Sequence, residues 1–436
     1  MLNNGTKNYM EELQKVIDSQ FNIYNIDPCF PMEIAGLQEK DIQLTTCDKR
    51  KDFRGELALT IDCKDCKDMD DAVSVVRTKC GYRLAVHIAD VASYVPMGSA
   101  LDQIAVNRAT SIYLPQLTVP MLPTVLSNGS CSLNPGVPRM TLSVIVHLNN
   151  DGSVINSEIT KGLICSRVKG VYSEINSLLS GDKTYYSKYS EVYMEMLDMV
   201  SLYKILRRIR IRRGAKIEDT DKPKIIVDDN DISLVPVKKG IAENMIEEFM
   251  ILANRIVAEY LYDNNLPAIF RVQEIRNHLA SYHPEKMHHS DLALESYSHF
   301  TSPIRRIADL KIHQILTMHL DGLSNQMIHE LFDEHLVEVC DLATRRGRTA
   351  KQIETKCARY CYEQYFQIHR NASYIGTLVG YDRRKRPLLQ IADYNIRVVG
   401  YGYSVCHGRK GDHFSFYVGY SDENNELYTK NTLKVA

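Results

Sequence analysis

The chain has 436 residues, 44% of them apolar, which is enough to bury a large core and form two or three domains. Its 53 basic and 54 acidic residues nearly balance, so no overall field favours a polyanionic partner and any nucleic-acid surface must come from local charge. The 11 cysteines are scattered, which excludes a disulfide framework. No apolar run reaches the 18 or so residues of a membrane span, and no signal peptide is recognisable. These features predict a cytoplasmic protein.

Two stretches precede the helical half of the chain. Residues 1–50 hold one amphipathic segment, YMEELQKVIDSQF, and a proline-containing segment, which together predict a helix and a lead-in too small for a domain. Residues 53–156 are rich in strand-like runs such as YRLAVHIADVASYV and RMTLSVIVHLNNDGSVI, the latter with an Asn-Asp-Gly turn. The long proline-containing segment between those two runs, SIYLPQLTVPMLPTVLSNGSCSLNPG, is typical of a functional wall.

One acidic stretch, TIDCKDCKDMDDAV, lies between two apolar strand-like runs. Neighbouring strand residues point to opposite faces, so Asp70 and Asp71 converge only where the chain bends. Two carboxylates about 4 Å apart repel by about 4 kcal/mol at an effective dielectric near 20, and a hard divalent cation with oxygen ligands would offset this. The alternative is a solvated acidic turn. The stretch does not fit an EF-hand loop, because it lacks the mid-loop glycine and the terminal glutamate of that motif. The acidic residues are Asp62, Asp65, Asp68, Asp70 and Asp71.

Residues 185–213 and 241–263 predict two helices. The first ends in LRRIRIRRG, whose arginines form either a solvated helix face or a track for a phosphate backbone. The second has a strong apolar period and carries Glu247 and Glu248.

The segment HFTSPIRRIADLKIHQIL predicts a further helix. Ser302 is a good N-cap and Pro303 suits the first helical position, so we expect the helix to begin there. Arg305 and Arg306 then lie in its first turn, where the helix dipole disfavours cations. Either a bound phosphate or a salt bridge to a carboxylate accounts for them.

The last part of the chain changes from helix to strand. Helical pattern covers residues 324–368, and short β-type runs follow, joined by basic loops that include Arg383 and Arg384. These 66 or so residues predict a small barrel of the OB type, whose loops and one face often hold single-stranded nucleic acid. If the barrel holds a strand in this way, deletion of residues after about 370 should weaken that retention and leave any chemistry of the preceding part intact.

Six motifs occur in one order: TIDCKDCKDMDD, VHIADVASYV, SIYLPQLTVPMLP, LSNGSCSLNPGVPR, IEEFMILAN and HFTSPIRRIADLKIH. Together they resemble the RNB family, the exoribonucleases of the ribonuclease II and R type, and the tail resembles that family's S1 barrel. The resemblance implies an α+β fold. A lead-in at residues 1–50 precedes an RNB catalytic domain at 51–370, in which helices wrap a mixed sheet, and an S1-like OB barrel follows at 371–436.

The resemblance also implies a function: metal-dependent hydrolysis of single-stranded RNA from its 3′ end to nucleoside 5′-monophosphates, with two Mg²⁺ ions. Asp62 and Asp71 would bind one ion, and Asp68 and Asp70 would hold the second ion and the attacking water. Arg305 would stabilise charge on the scissile phosphate. The RNA-binding residues that it implies are Tyr113, Tyr172, Glu247, Glu248, Arg306, Arg383 and Arg384.

Three departures from the family pattern concern substrate handling. The paired cold-shock domains are not seen before the catalytic segment, Glu218 stands where an aromatic residue is expected, and Thr344 stands where a glutamate is frequent. The four aspartates and Arg305 are intact, which favours catalysis over the alternative of a non-catalytic or weakly active RNA-binding regulator. A phosphohydrolase of small nucleotides is a third interpretation. Single-stranded RNA is the expected partner; no protein partner is inferable, and a monomer fits.

Overall fold

The computed structural model describes residues 8–41, 49–217, 222–274, 279–421 and 426–435. Within these ranges the α-helices are α1 (Tyr9–Tyr24), α2 (Met32–Ala35), α3 (Ala100–Arg108), α4 (Tyr172–Leu179), α5 (Tyr186–Tyr189), α6 (Tyr193–Arg212), α7 (Ile241–Asp263), α8 (Ile307–Leu320), α9 (Asn325–Ile368) and α10 (Tyr403–Cys406).

The strands of the same ranges are β1 (Lys51–Asp52), β2 (Thr60–Asp62), β3 (Asp71–Arg77), β4 (Gly81–Ala89), β5 (Ile112–Tyr113), β6 (Thr118–Val119), β7 (Pro138–Asn149), β8 (Val154–Cys165), β9 (Lys169–Val171), β10 (Lys224–Val227), β11 (Ile232–Val235), β12 (Phe270–Val272), β13 (Ser281–His283), β14 (Ser373–Tyr381), β15 (Pro387–Ile391), β16 (Ile396–Val399), β17 (His413–Ser421) and β18 (Glu426–Lys434).

A five-stranded sheet forms the centre of the first part of the chain. Its order is β1-β8-β7-β4-β3, and β1 alone runs parallel to its neighbour. Residues on both faces of β4 are buried; α7 packs against β4 and β7, and α6 packs against β3. A strand covered on both faces reads as a nearly unbroken apolar run, as β4 does. The α+β class with a mixed sheet wrapped by helices is therefore confirmed.

Two predicted helices have the expected bounds. Helix α7 covers Ile241–Asp263, and its apolar stripe, which includes Met245, Phe249 and Leu252, lies in the main core. Helix α9 begins after Ser324, whose hydroxyl accepts a hydrogen bond from the backbone N–H of Met327, and it continues for 44 residues. Amphipathic periodicity therefore located both helices correctly, because each one packs along most of its length.

The predicted start of α8 is wrong by four residues. The helix begins at Ile307, and Arg306 before it is extended, with φ −139° and ψ 127°. The segment from Ser302 to Arg306 forms a turn instead, in which Ser302 O accepts from the amides of Arg305 and Arg306. A β-bridge between Thr110 and Arg306 fixes the extended backbone. Tertiary pairing thus overrides the capping signal, and neither arginine lies in a helical turn.

The C-terminal strands form a closed barrel in the order β14-β15-β16-β18-β17, which fits an S1-like OB fold. Its interior is continuous with the rest of the protein. One apolar cluster joins Phe414 and Phe416 of the barrel to Cys357 of α9 and to Leu13 of α1. The barrel, the long helix and the N-terminal helix therefore share one core.

In the described ranges, no helix combines the length and apolar character needed to cross a membrane. Glu218, the residue predicted to replace an aromatic wall of the substrate slot, lies outside the described residues. Thr344 is described, and its Oγ1 accepts a hydrogen bond of 2.9 Å from the backbone N–H of Tyr282.

Candidate active site

The acidic stretch connects β2, which pairs with β9, to β3, the edge strand of the main sheet. Asp62 is the last residue of β2, and Asp71 is the first residue of β3. Asp68 and Asp70 lie in the bent connection between them, as the sequence predicted. Asp70 is buried, and its Oδ1 accepts a hydrogen bond of 2.9 Å from the backbone N–H of Ile304. Two segments separated by more than 230 residues therefore meet at this carboxylate.

The proline-containing segment holds the acidic loop in place. The hydroxyl of Ser132 accepts from the backbone N–H of Met69 at 3.1 Å and donates to the carbonyl of Lys67 at 2.8 Å. The amide of Leu133 donates to Met69 O at 3.0 Å. These bonds fix the backbone on both sides of Asp68, and they give the segment the structural role of a wall. The role of Ser132 is not visible in the sequence, because one serine in a loop carries no signal of its own.

Burial and mutual repulsion destabilise the charged forms of three aspartates. Burial, with a further contribution from Asp68, raises the pKa of Asp62 to about 6. Burial raises the pKa of Asp70 to about 7, although Arg305 opposes this shift. Burial and the charges of Asp62 and Asp70 raise the pKa of Asp71 well above its ordinary value. The loop therefore concentrates negative charge that its protein surroundings do not neutralise.

The donor chemistry of the loop fits a hard cation. Asp62 Oδ2 and Asp70 Oδ2 are buried and have no hydrogen-bond donor within the described residues. Carboxylate oxygens of this kind are the preferred ligands of Mg²⁺. In the same part of the chain, no three histidine, cysteine or acidic side chains are yet grouped closely enough to enclose an ion. Asp65 is different, because it is exposed and pairs with Lys224 at 2.7 Å.

Arg305 contacts the acidic loop directly. Its Nε lies 3.3 Å from Asp70 Oδ2, and its Nη2 donates to the hydroxyl of Ser302 at 2.8 Å. The side chain keeps 41% of its exposure, so the guanidinium remains open to solvent beside a buried carboxylate. The backbone of Arg305 is fixed from behind, since its carbonyl accepts from Ser111 N and Thr110 Oγ1, both at 3.1 Å.

Arg306 has a different environment from its neighbour. Its Nε and Nη2 donate to the two oxygens of Asp309 at 2.9 and 2.6 Å, which is a bidentate pair with a buried carboxylate. The salt-bridge alternative considered for the basic pair is therefore confirmed for both residues: Arg306 pairs with Asp309, and Arg305 pairs with Asp70 of the acidic loop. RNA binding by Arg306 stays a prediction.

The two predicted aromatic residues both lie beside the aspartates. Tyr113 is 40% exposed, and its hydroxyl donates to Asp68 Oδ2 at 2.7 Å. Tyr172 follows Val171, which pairs with Asp62 across β9 and β2. Burial, then the charges of Asp71 and Asp62, raise the pKa of Tyr172 well above its usual range. Tyr113 therefore orients a carboxylate, a role that the stacking hypothesis did not include.

Glu247 and Glu248 are not among the acidic groups around Tyr172. Arg210 Nη1 donates to Glu247 Oε1 at 2.7 Å and to Glu248 Oε1 at 3.0 Å, and Arg207 donates to Glu248 at 3.0 Å. This cluster joins α6 to α7, so Arg207 and Arg210 do not form an unpaired phosphate track. One turn earlier on α7, Glu243 contributes to the raised pKa of Tyr172, after burial and the nearer Asp71, Asp62 and Cys63. The predicted RNA contact of Glu247 and Glu248 stays untested.

Arg383 and Arg384 lie in the exposed turn between β14 and β15. Asp382 shapes that turn, because its Oδ1 accepts from the amides of Arg384 and Arg386 at 2.8 Å each. Arg386 also pairs with Asp382 and Glu426, so its guanidinium is committed to the barrel. Arg383 and Arg384 therefore project from a turn that Asp382 holds in shape, whereas the neighbouring Arg386 has a structural role.

The RNB domain signature matches residues 50–278 and 277–322, which together include the acidic loop and Arg305. The chain belongs to the RNB family. Among related RNB proteins, ribonuclease R of Thermotoga maritima is 36% identical over 379 residues, covering 73% of this chain and 53% of that protein. The chain spans about half the length of the curated relatives it matches.

The fold is also that of solved RNB structures. Ribonuclease R of Mycoplasma genitalium, in complex with ribose-methylated single-stranded RNA, superposes with a TM-score of 0.78 at 23% identity, covering 97% of this chain and 76% of that one. Yeast Ssd1, described as a pseudonuclease, superposes with a TM-score of 0.67 at 18% identity, covering 88% and 55%. The fold therefore occurs in a protein with a nuclease name and in one described as a pseudonuclease.

Proposed function

We propose that this chain is a 3′→5′ exoribonuclease that hydrolyses single-stranded RNA to nucleoside 5′-monophosphates with the help of Mg²⁺. The observation that carries the proposal is that Asp62, Asp68, Asp70 and Asp71 lie along one bent segment, with Arg305 in contact with Asp70. The proposal assigns the chemistry to residues 51–370 and retention of the strand to the barrel at 371–436, with residues 1–50 as a lead-in.

The four aspartates would hold the metal. Asp62 and Asp71 would bind one ion, and Asp68 and Asp70 would hold a second ion and the water. When bound, such ions activate water and relieve charge on the attacking and leaving oxygens of a phosphodiester. The buried Oδ2 of Asp62 supports this assignment, because a buried carboxylate oxygen without a donor is costly unless something positive replaces the missing hydration. The buried Oδ2 of Asp70 has no hydrogen bond in the described residues and only the ion pair with Arg305 at 3.3 Å.

Arg305 would act on the scissile phosphate. Its Nε faces Asp70 and its Nη2 faces Ser302, so the Nη1 edge is the part of the guanidinium left for a phosphate oxygen. Arginine hydrogen bonds to phosphate are charge-assisted, and the planar fork keeps its orientation through the reaction. The contact with Asp70 holds the side chain ready, which reduces the reorganisation required when charge develops.

Tyr113 and Tyr172 would hold the end of the strand. Base stacking on an aromatic ring contributes about 1–3 kcal/mol per base and does not depend on sequence. The exposed ring of Tyr113 is available for such stacking while its hydroxyl remains bound to Asp68. Substrate binding and metal geometry would therefore be linked through one side chain.

The second candidate is a non-catalytic RNA-binding protein on the same scaffold, which the fold shared with Ssd1 favours. The retained aspartates and arginine favour the nuclease. A gel time course on 5′-labelled single-stranded RNA with magnesium, with EDTA and with a DNA strand of the same sequence separates the two. Stepwise shortening that needs metal and spares DNA is expected; RNA that is bound and never shortened would establish the regulator.

A further inference from the structure

A cavity of about 480 Å³ lies beside the turn that carries Arg305. Its wall includes Thr110 and Arg306, which form a β-bridge, and the first residues of α8. Arg305 ends the turn, whereas Arg306 is extended and held by its bridge to Thr110. Arg305 contacts Asp70, and Arg306 lines the cavity. No residue of the acidic loop is among the described lining residues, so the cavity is a compartment separate from that loop.

The lining of this cavity is strongly cationic. It contains Arg271, Arg306, Arg348 and Lys351, and it contains no carboxylate among the described lining residues. Asp309 binds Arg306 from one side and neutralises that charge alone. In the described part of the chain, neither Arg271 nor Arg348 has a carboxylate partner. Lys351 pairs with Glu354 at 3.4 Å, so an excess of about two positive charges remains, those of Arg271 and Arg348.

The position of Arg271 is fixed by packing. The guanidinium of Arg271 lies 4.6 Å from the centre of the Tyr282 ring, in a cation–π contact that orients it without neutralising it. Burial, and to a smaller extent the charges of Arg306 and Arg348, lower the pKa of Arg271. The pKa of His299, which also lines the cavity, is lowered well below its usual value by burial and by the neighbouring arginines. The repulsion among these positive charges is unfavourable, and a bound anion would reduce it.

A second feature of the cavity also favours an anion. Ile307 and Ala308, the first two residues of the 14-residue helix α8, form part of the wall. The N-terminus of a helix carries a partial positive charge that favours phosphates. The amide of Ile307 already donates to Ala109 O at 2.9 Å, so the contribution of this end is the dipole and not the Ile307 N–H. The remaining wall is apolar, with Ala109, Ala280 and Ala343. A cationic region beside an apolar surface suits a molecule with a phosphate at one end and a flat, weakly polar group at the other.

We propose that this cavity binds a nucleoside 5′-monophosphate, with the phosphate among Arg271, Arg348 and the start of α8. The volume suits one nucleotide, since small-molecule sites usually measure about 300–1,000 Å³. The choice of a mononucleotide rests on the proposed function, because that is the product the enzyme would release. An occupant of this cavity would contact Arg306, the residue next to the proposed catalytic Arg305. Binding of the product would therefore be coupled to the catalytic centre.

The test is calorimetric titration of the full chain with adenosine 5′-monophosphate in EDTA, with adenosine and inorganic phosphate as parallel probes. The variant is Arg348→Glu with Lys351→Glu, two exposed residues of α9. Arg345→Glu is the control, because Arg345 is exposed on the same helix and does not line the cavity. We expect one site for the nucleotide, affinity reduced by about tenfold or more in the double variant, and a change of less than about twofold in the control.

A titration repeated with a saturating single-stranded RNA decamer locates the site. Nucleotide binding that persists in the presence of the decamer supports a separate cavity. Nucleotide binding abolished by the decamer, or equal in the wild type and the double variant, overturns the inference. Metal-dependent cleavage of RNA is measured on the same preparations. If the wild type binds the nucleotide through Arg348 and Lys351 but does not cleave RNA, the nuclease proposal is refuted and the nucleotide site is not. If it cleaves RNA but does not bind the nucleotide in this way, only the nucleotide site is refuted.

Discussion

Arg305 Nε lies 3.3 Å from Asp70 Oδ2, and the amide of Ile304, one residue earlier, donates to the other oxygen of the same carboxylate at 2.9 Å. The segment that carries the arginine is thus attached to the acidic loop through both backbone and side chain. This double attachment fixes the distance between the two halves of the proposed catalytic centre, and the first two predictions test each half in turn.

Asp70→Asn should abolish catalysis without loss of the fold. Asparagine keeps the volume and can still accept the hydrogen bond from Ile304, but it removes a charge from the proposed metal site. We expect turnover to fall by about 10²-fold or more while the variant still binds RNA. Single-turnover cleavage and filter binding measure the two quantities. Asp65→Asn is the control, since Asp65 is exposed and pairs with Lys224; more than about a tenth of the wild-type rate in Asp70→Asn would contradict the assignment.

Arg305→Lys should separate catalysis from binding. Lysine keeps the positive charge beside Asp70 but cannot reproduce the planar fork, so the cleavage rate should fall by about 10²-fold and RNA affinity by less than about threefold. Arg306→Lys should behave in the opposite way, because it breaks a bidentate pair with the buried Asp309 and should lower the melting temperature. If the Arg305 variant loses stability and keeps its specific activity, Arg305 is a structural residue.

Arg383→Glu with Arg384→Glu should weaken RNA binding in a salt-dependent way. For a single strand, each phosphate that the protein no longer neutralises makes the slope of log affinity against log salt shallower by about 0.7. If both arginines bind phosphates, the slope should therefore decrease by about 1.4. Lys79→Glu, in the exposed turn between β3 and β4, is the control and should leave the slope unchanged. Fluorescence anisotropy between low and moderate salt measures it, and equal slopes would exclude the turn from the RNA path.

His87 should make the free energy of unfolding depend on pH. Burial lowers the pKa of His87 from 6.5 to about 4 in the folded protein. Between these values the unfolded chain binds more protons, so this residue's contribution to stability is complete above about pH 6.5 and is lost as the pH falls towards 4, by up to about 3 kcal/mol. The raised pKa values of the loop aspartates act with the opposite sign, so the comparison is with His87→Gln.

Urea unfolding in EDTA at several pH values between 4 and 7 provides that comparison. The difference in free energy of unfolding between the wild type and His87→Gln should shrink as the pH falls, because the variant has no imidazole to protonate. A constant difference across this range would show that His87 is not buried in its neutral form.

The sequence predicted those elements correctly whose structure depends on a local pattern of residues. The period of the apolar residues indicated the bounds of α7, and the acidic run identified a loop that the structure bends as expected. The predicted start of α8 was wrong, because the bridge from Thr110 to Arg306 comes from a segment almost 200 residues away. Ser132 and Ile304 were missed for the same reason, since a hydroxyl and a backbone amide acquire their roles only from long-range contacts.

The expectation for the barrel deletion also changes with the structure. Tyr365 of α9 shares a hydrogen bond of 3.0 Å with Tyr394 of the barrel, and Phe366 packs edge-on against Tyr374. Deleting residues after about 370 would expose this aromatic surface. We therefore expect the shortened protein to melt at a lower temperature, and loss of activity in it would not isolate the role of RNA binding.

Helix α9 is 44 residues long, which corresponds to about 66 Å at 1.5 Å per residue. Near its middle, Glu354 lies 3.4 Å from the amide of Tyr113, and its C-terminal turns enter the core of the barrel. One residue inserted between these points would rotate the barrel by about 100° around the helix axis and advance it by about 1.5 Å. The barrel would then present another face to the catalytic centre. The number of residues in this helix, more than their identity, aligns the two ends of the path that an RNA strand would follow.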